Sequence, residues 1–213
     1  MTQPLLILGT RWLAEEMFDL ISEIPGYEVA GFVENQERER CAAPLEGRPV
    51  LWVDEVPPLA RTHLALCGIS TTTRVAYIRQ VAEMGMRFAT LVHPTARVSA
   101  RATMGTGCFI GPCSVLSTHS SLGDHVFVNR GVLIGHHRTI GSYVTLQPGA
   151  NIAGLGRIGD QTYVGMQAAV LERISVGAGC VIAAGAVVTA DLPDGVQAMG
   201  VPARVTKTGI DPK

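Results

Sequence analysis

The 213 residues carry a net charge of −1, with 17 Lys and Arg against 18 Asp and Glu. That balance gives no electrostatic case for binding nucleic acid or an anionic membrane. Charged residues make up only 16% of the chain, which points to broad burial, subunit contacts included. No apolar run approaches the ~20 residues of a membrane span. Leu5 to Leu8 is too short, and lacks the basic start, for a signal peptide, so a cytoplasmic location is expected. The five cysteines, Cys41, Cys67, Cys108, Cys113 and Cys180, form no CxxC pair and read as free thiols in a reducing compartment.

In chain order, Pro4 to Leu8 (PLLIL) is an apolar run ending at Gly9, the pattern of a buried parallel strand. Arg11 to Ile24 places Leu13, Met17, Leu20, Ile21 and Ile24 at helical spacing, and Pro25-Gly26 stops it. Val29 to Val33 is a second strand, and the polar stretch Glu34 to Glu46 a loop. A short strand follows Gly47-Arg48-Pro49-Val50, then a proline-bearing connector, then a strand over His63 to Cys67 ending at Gly68. Arg74 to Met84 is a helix with Val75, Ile78, Val81 and Ala82 on one face, and Phe88 to Val92 a last strand. Strand and helix alternating in this way describe a small Rossmann-like α/β domain over residues 1–92.

From His93-Pro94 the pattern changes. Every sixth residue from Val98 is a large aliphatic: Val98, Met104, Ile110, Leu116, Leu122, Val128, Ile134, Ile140, Leu146, Ile152, Ile158, Val164, Val170, Val176, Ile182 and Val188. The residue after each is often glycine, and the residue four after is mostly small. A fixed period of six reads as a parallel β-helix of hexapeptide repeats. Three hexads make one triangular coil, and coils stack about 4.8 Å apart, so aliphatics eighteen apart form internal ladders. The glycines after the aliphatics are expected to make the turns. The prism covers residues 93–190, leaving 191–213 as a C-terminal tail with a frayed end. Flat, charge-poor sides favour a closed cyclic assembly, with sites in clefts between copies.

The repeat phase also says which polar side chains face outward. Asn129, His136 and His137 do, close together, and Arg138 breaks the small-residue slot. Single outward polar residues on a rod are ordinary, whereas this convergence points to a site. His119 and His137, eighteen apart, should stack, with His125 on the next side. Two stacked imidazoles and one around the corner do not converge on a single metal, so none is expected.

His93-Pro94-Thr95-Ala96-Arg97-Val98, the sixteen hexads, Pro148-Gly149 and the terminal Gly200-Val201-Pro202-Ala203-Arg204 resemble the left-handed β-helix acyltransferases. With the α/β domain in front, the chain looks like the sugar O- and N-acetyltransferases, which include the bacillosamine- and perosamine-type nucleotide-sugar N-acetyltransferases and the sialic acid O-acetyltransferases. The resemblance implies a left-handed helix, a homotrimer, acetyl-CoA as co-substrate, and an acceptor-binding N-terminal domain. It assigns His136 as general base, followed by Ile140-Gly141, with Asn129 seven residues before it. Thr145, Met166 and Ala184 fall where the family lines the acetyl-CoA site, and Gly9, Arg11, Trp12, Leu13, Glu34, Asn35 and Gly68 where it holds the nucleotide sugar. Two features depart from the family. His137 stands where an acid usually follows the base, and Gly9-Thr10-Arg11-Trp12 replaces a glycine-rich loop, with Trp12 expected to obstruct backbone contact with phosphate. The expected reaction is N-acetylation of a nucleotide-linked amino sugar. The alternatives are O-acetylation of a sugar hydroxyl and a catalytically impaired scaffold.

Overall fold

The computed structural model describes residues 2–210. The chain forms two units, divided between Pro94 and Thr95. The first is built on the apolar run at the start, which becomes β1 (Gln3–Leu8). Leu5 through Leu8 are at most 1% exposed, because a strand with no polar alternation must be covered on both faces. Helix α1 (Trp12–Ser22) buries Ala14, Met17 and Ile21, three and four residues apart, as an amphipathic helix should. Strands β2 (Tyr27–Glu34), β3 (Val50–Trp52), β4 (Leu64–Cys67) and β5 (Arg87–Phe88) complete the sheet, with α2 (Arg74–Glu83) between the last two.

The sheet order is β3-β2-β1-β4-β5, all parallel. The chain therefore steps outward from β1 in one direction, then returns to build β4 and β5 on the other side. That reversal leaves a crevice at the carboxyl ends of β1 and β4, where open α/β sheets bind ligands. One expected element is divided. The run Phe88 to Val92 gives Arg87–Phe88 in this sheet and a separate Leu91–Val92 strand. The sheet pairing ends where Ala89 N–H donates to Ala65.

In the second unit the six-residue period becomes a stack of two-residue strands, each ending on an inward aliphatic. Pairing is parallel and in register at eighteen residues: Val98, Leu116, Ile134, Ile152, Val170 and Val188 form one ladder. Met104, Leu122, Ile140 and Ile158 form the second. Ile110, Val128, Leu146, Val164 and Ile182 form the third. From Ile110 onward every member is at most 5% exposed. The tail is part of this stack and not a separate segment. Residues Val196–Gly200 pair parallel with Val181–Ile182 and antiparallel with Ala203–Thr208. The frayed end expected at Lys213 lies outside the described residues.

The turns are made differently from the expectation. The glycines that follow the aliphatics do not adopt positive φ. That conformation falls two residues later, at Cys113, His119, His125, His137, Tyr143, Leu155, Gln161, Gln167 and Arg173, and at Gly107, Gly131, Gly149, Gly179 and Gly185. Coil-to-coil hydrogen bonds hold the bend, such as His137 N–H to Thr118 at 3.0 Å and Tyr143 N–H to Asp124 at 2.7 Å. The glycines after the aliphatics serve close approach instead. A Cβ on Gly159 would lie 2.4 Å from Ala178 N, and one on Gly135 2.4 Å from Gly154 N. Neither neighbour is a side chain that could swing away. Gly159→Ala should therefore cost about 1–3 kcal/mol. Gly185→Ala, with open space but φ +68, carries only the left-handed strain of about 1–2 kcal/mol. Denaturant midpoints of the two variants compare these terms. A Gly159→Ala protein as stable as the parent would disprove the close-approach role.

Candidate active site

The first unit holds a cavity of about 420 Å³ at its switch point. Gly9, Arg11, Trp12, Leu13, Glu34, Asn35 and Gly68 all line it, so the seven positions singled out in sequence share one wall. Gly9 (φ +113) turns the chain out of β1, where a Cβ would press on Ile69 at 3.1 Å. A Cβ on Gly68 would meet Ile7 at 2.8 Å and Ala14 at 3.2 Å, which fixes how closely α1 lies on the sheet. Trp12 is among the residues that line the cavity. It is 87% exposed and stands at the rim.

Glu34 is 7% exposed, and its carboxylate is committed to the protein. The Thr10 hydroxyl donates to one oxygen, and the N–H groups of Asn35, Gln36 and Glu37 donate to the other. Burial alone would raise its pKa. The hydrogen bonds from Thr10 and from the Gln36, Glu37 and Asn35 backbone outweigh that and hold it below the ordinary carboxylate value. Glu34 therefore shapes the loop after β2. Asn35 donates to Gln80 at 2.9 Å. At the rim, Arg11 pairs with Glu37, which also holds Arg40. The cavity includes residues that sequence reasoning missed: Thr10, Gln36, Ile69, Ser70, Thr71, Thr73 and Tyr77. The hydroxyl run Ser70-Thr71-Thr72-Thr73 after a strand-ending glycine was the available signal.

In the second unit, Asn129 and His136 sit at the two corners that flank the strand Leu133–Ile134. Asn129 is 9% exposed; its Oδ1 accepts from Arg130 N–H at 2.8 Å and its amide donates to Gln147 at 3.3 Å. Both His136 and His137 are exposed. Their Nδ1 atoms are 3.2 Å apart, a hydrogen bond in which one ring donates. A His136 that donates there keeps its Nε2 as an acceptor. His119 and His137 stack with centroids 4.8 Å apart, as their spacing implied, while His125 stacks instead on Tyr143 at 5.1 Å. Gly154, eighteen residues beyond His136, lies against its ring. A Cβ there would lie 2.9 Å from His136 Nε2, so the imidazole lies along bare backbone of the next coil.

Arg138 turns inward. It is 0% exposed, and its guanidinium donates to the carbonyls of Ala153, Leu171 and Ile174. Desolvation by burial lowers its pKa to about 10, so it remains a cation at neutral pH. The positions assigned to acetyl-CoA divide: Met166 and Ala184 are exposed and stack eighteen apart on one corner, while Thr145 is wholly buried within a strand. Cys67 and Cys108 are pushed up to about 11 by burial, so these thiols stay protonated. Among the described residues no group of three or more His, Cys, Asp and Glu could hold a metal ion, and no helix is long and apolar enough to cross a membrane.

Both units align along nearly their whole length with known structures. A histidine mutant of perosamine N-acetyltransferase from Caulobacter crescentus, in complex with CoA and GDP-perosamine, superposes with a TM-score of 0.88 at 26% identity, covering 96% of this chain and 97% of that one. The acetyltransferase domain of PglB from Neisseria gonorrhoeae in complex with acetyl coenzyme A gives 0.88 at 25% identity, covering 96% and 100%. The bacterial transferase hexapeptide (six repeats) family matches residues 156–190. Across both units the chain is similar to sugar acetyltransferases, and within it residues 156–190 carry the hexapeptide repeat of bacterial transferases. The prism is a left-handed β-helix. A curated relative, 2,3,4,5-tetrahydropyridine-2,6-dicarboxylate N-acetyltransferase from Staphylococcus aureus, is 46% identical over 50 residues, 24% of this chain. That match spans about a fifth (21%) of the relative's length, so it reflects the shared hexapeptide repeat.

Proposed function

We propose that this protein transfers the acetyl group of acetyl-CoA to the amine of a nucleotide-linked amino sugar. The observation that carries the reading is the match, across both units, to a perosamine N-acetyltransferase holding CoA and GDP-perosamine. The cavity at the switch point takes the nucleotide handle. The neutral amine attacks the thioester carbonyl, His136 accepts the proton the amine loses, and the CoA thiolate leaves as the tetrahedral intermediate collapses. The proton held by His136 then passes to the departing thiolate, so the base is regenerated and no acetyl-enzyme forms. Asn129 positions the acceptor, and His137 orients the His136 ring. Met166 and Ala184 line the CoA cleft, and Thr145 contributes there through its backbone.

The assembly is a homotrimer in the cytoplasm, packed through the side of the prism that Asn129 and His136 flank. That side presents Val115, Leu133, Ala169 and Val187 outward, with Arg97 and Asn151 in the same row and Leu133 44% exposed, a mostly apolar surface suited to a copy of itself. Calorimetry with acetyl-CoA, followed by a thiol-release assay with UDP-, GDP- and dTDP-linked 4-amino sugars, tests the reading. Binding of acetyl-CoA and thiol release with an amino sugar, absent with its 4-hydroxy counterpart, is the expected result. A protein that binds no acetyl-CoA is not an acetyltransferase.

A further inference from the structure

Three imidazoles meet on the corner of the prism that carries His136. The Nδ1 atoms of His136 and His137 are 3.2 Å apart, with the two rings nearly perpendicular at 84°. One coil away, the His119 ring lies against His137, with centroids 4.8 Å apart and planes inclined by 32°. We propose that His119 is a positioning residue for acetyl transfer: its ring face holds His137 in the plane from which Nδ1 meets His136. The inference rests on the reading of His136 as the base and His137 as the group that orients it, and it adds the residue that fixes the second ring.

Three observations carry it. First, His137 is exposed, and an imidazole turns about a broad, roughly two-fold χ2. A ring packed on its face removes the orientations in between. The hydrogen bond to His136 then selects between the two that remain, which differ in whether Nδ1 or a ring carbon faces that neighbour. Second, the coil geometry builds the stack. His119 and His137 are eighteen apart and both left-handed, with φ +58 and +55, so their side chains leave successive coils in the same direction. The bond from His137 N–H to Thr118 at 3.0 Å keeps the two coils in step. Third, core packing does not account for the pair. Another ring stack on the prism, His125 on Tyr143, includes a histidine that is 8% exposed, whereas His119 and His137 are both exposed.

The test uses two variants of the full chain. His119→Asn removes the ring and keeps a residue tolerant of left-handed φ. His119→Phe keeps a flat ring without its nitrogens, and Tyr143, at φ +59, shows that a corner of this prism accepts an aromatic there. Thiol release is measured with whichever of the nucleotide-linked 4-amino sugars the parent turns over fastest. His119→Asn should lower kcat roughly 2–12-fold, the worth of one aromatic pair expressed as a rate, with KM for both substrates within about twofold. His119→Phe should return kcat to within about twofold of the parent, since the ring pair is restored. In a His137→Ala background, His119→Asn should cost nothing further, because the two residues act as one unit. An unchanged kcat in His119→Asn overturns the proposal. A loss that persists in His119→Phe also overturns it, by assigning the effect to a ring nitrogen, and so does a loss that persists without His137. Histidine-selective nitrogen-15 NMR supplies a readout independent of turnover: the Nδ1 signals of His136 and His137 should shift in His119→Asn and return in His119→Phe, and unshifted signals overturn the holding role. A parent that releases thiol with none of the sugars overturns the acetyl-transfer reading, and with it any part for His119 in transfer. The NMR shifts are then seen without turnover, which tells the two failures apart.

Discussion

His136→Ala lowers kcat by roughly 10²–10⁴-fold while the prism remains folded. The size follows from removal of the only group assigned to take the amine proton. The intact fold follows from where the ring lies: His136 is exposed, its main chain is held in the coil ladder, and its side chain touches His137 and the bare backbone at Gly154. Acetyl-CoA affinity should stay within about twofold of the parent, because the base acts on the acceptor. A thiol-release assay at saturating acceptor, with circular dichroism on the same samples, checks both halves. Turnover within tenfold of the parent would remove His136 from the proton transfer. A companion variant, Gly154→Ala, adds a methyl where Nε2 lies 2.9 Å from the ideal Cβ position. It should impair turnover by displacing the ring although His136 itself is untouched.

The prism was almost wholly legible in the sequence, because one physical demand repeats in every coil. Each corner must fill the same volume with an aliphatic, so the period and the eighteen-residue register both follow from Val98 through Val188. What the repeat could not reveal is which position bends. Glycine suggests a turn to any reader, yet Gly135 and Gly159 are glycine because another coil's backbone leaves no room for a Cβ. The bend falls on His119, His137, Arg173 and others, whose left-handed φ is imposed by closure of the coil, not announced by residue type. In the α/β unit, Gly9, Glu34 and Gly68 could be placed through the resemblance to the family, whose sugar-binding positions they match at strand ends. Tyr77 could not, because a tyrosine facing a cavity and one facing a core obey the same helical spacing. His137 was legible as a departure, but its contact with His136 needed the αL turn that tips its ring toward Nδ1 of its neighbour.

Arg138→Met should be the most destabilising single change in the prism, at about 3–5 kcal/mol. In sequence Arg138 looks like part of the polar cluster with Asn129 and the two histidines. The structure assigns it the opposite direction and a different task. Its slot elsewhere holds smaller side chains, from Ser114, Ala150 and Thr162 to Val126, Val132 and Val144, all buried, so an arginine fits only where the coils above leave space. Gly156, eighteen residues on, leaves it: a Cβ there would lie 2.9 Å from Arg138 Nη1 and 2.4 Å from Ile174 O. Through that gap the guanidinium reaches Ala153 at 2.6 and 2.8 Å, Ile174 at 2.6 Å and Leu171 at 3.1 Å. These carbonyls lie where the corner at Leu155 and Gly156 takes two successive positive φ values and the regular ladder is interrupted. Methionine keeps much of the volume and supplies no donors, so it takes the guanidinium from the Ala153 and Ile174 carbonyls at about 1–3 kcal/mol each, while Leu171 keeps the Ile174 N–H. Arg138→Lys keeps the charge but cannot span carbonyls on two coils with a planar fork, and should recover only part of the loss. For a chain of this size the methionine variant should melt roughly 6–20 °C lower. A loss under about 2 °C would mean that the carbonyls find other donors, and Arg138 would no longer be the clamp of this corner. Because Gly154 lies inside the clamped segment, any turnover lost by the lysine variant at a temperature where it is fully folded measures how far the corner, and with it the seat of His136, has shifted.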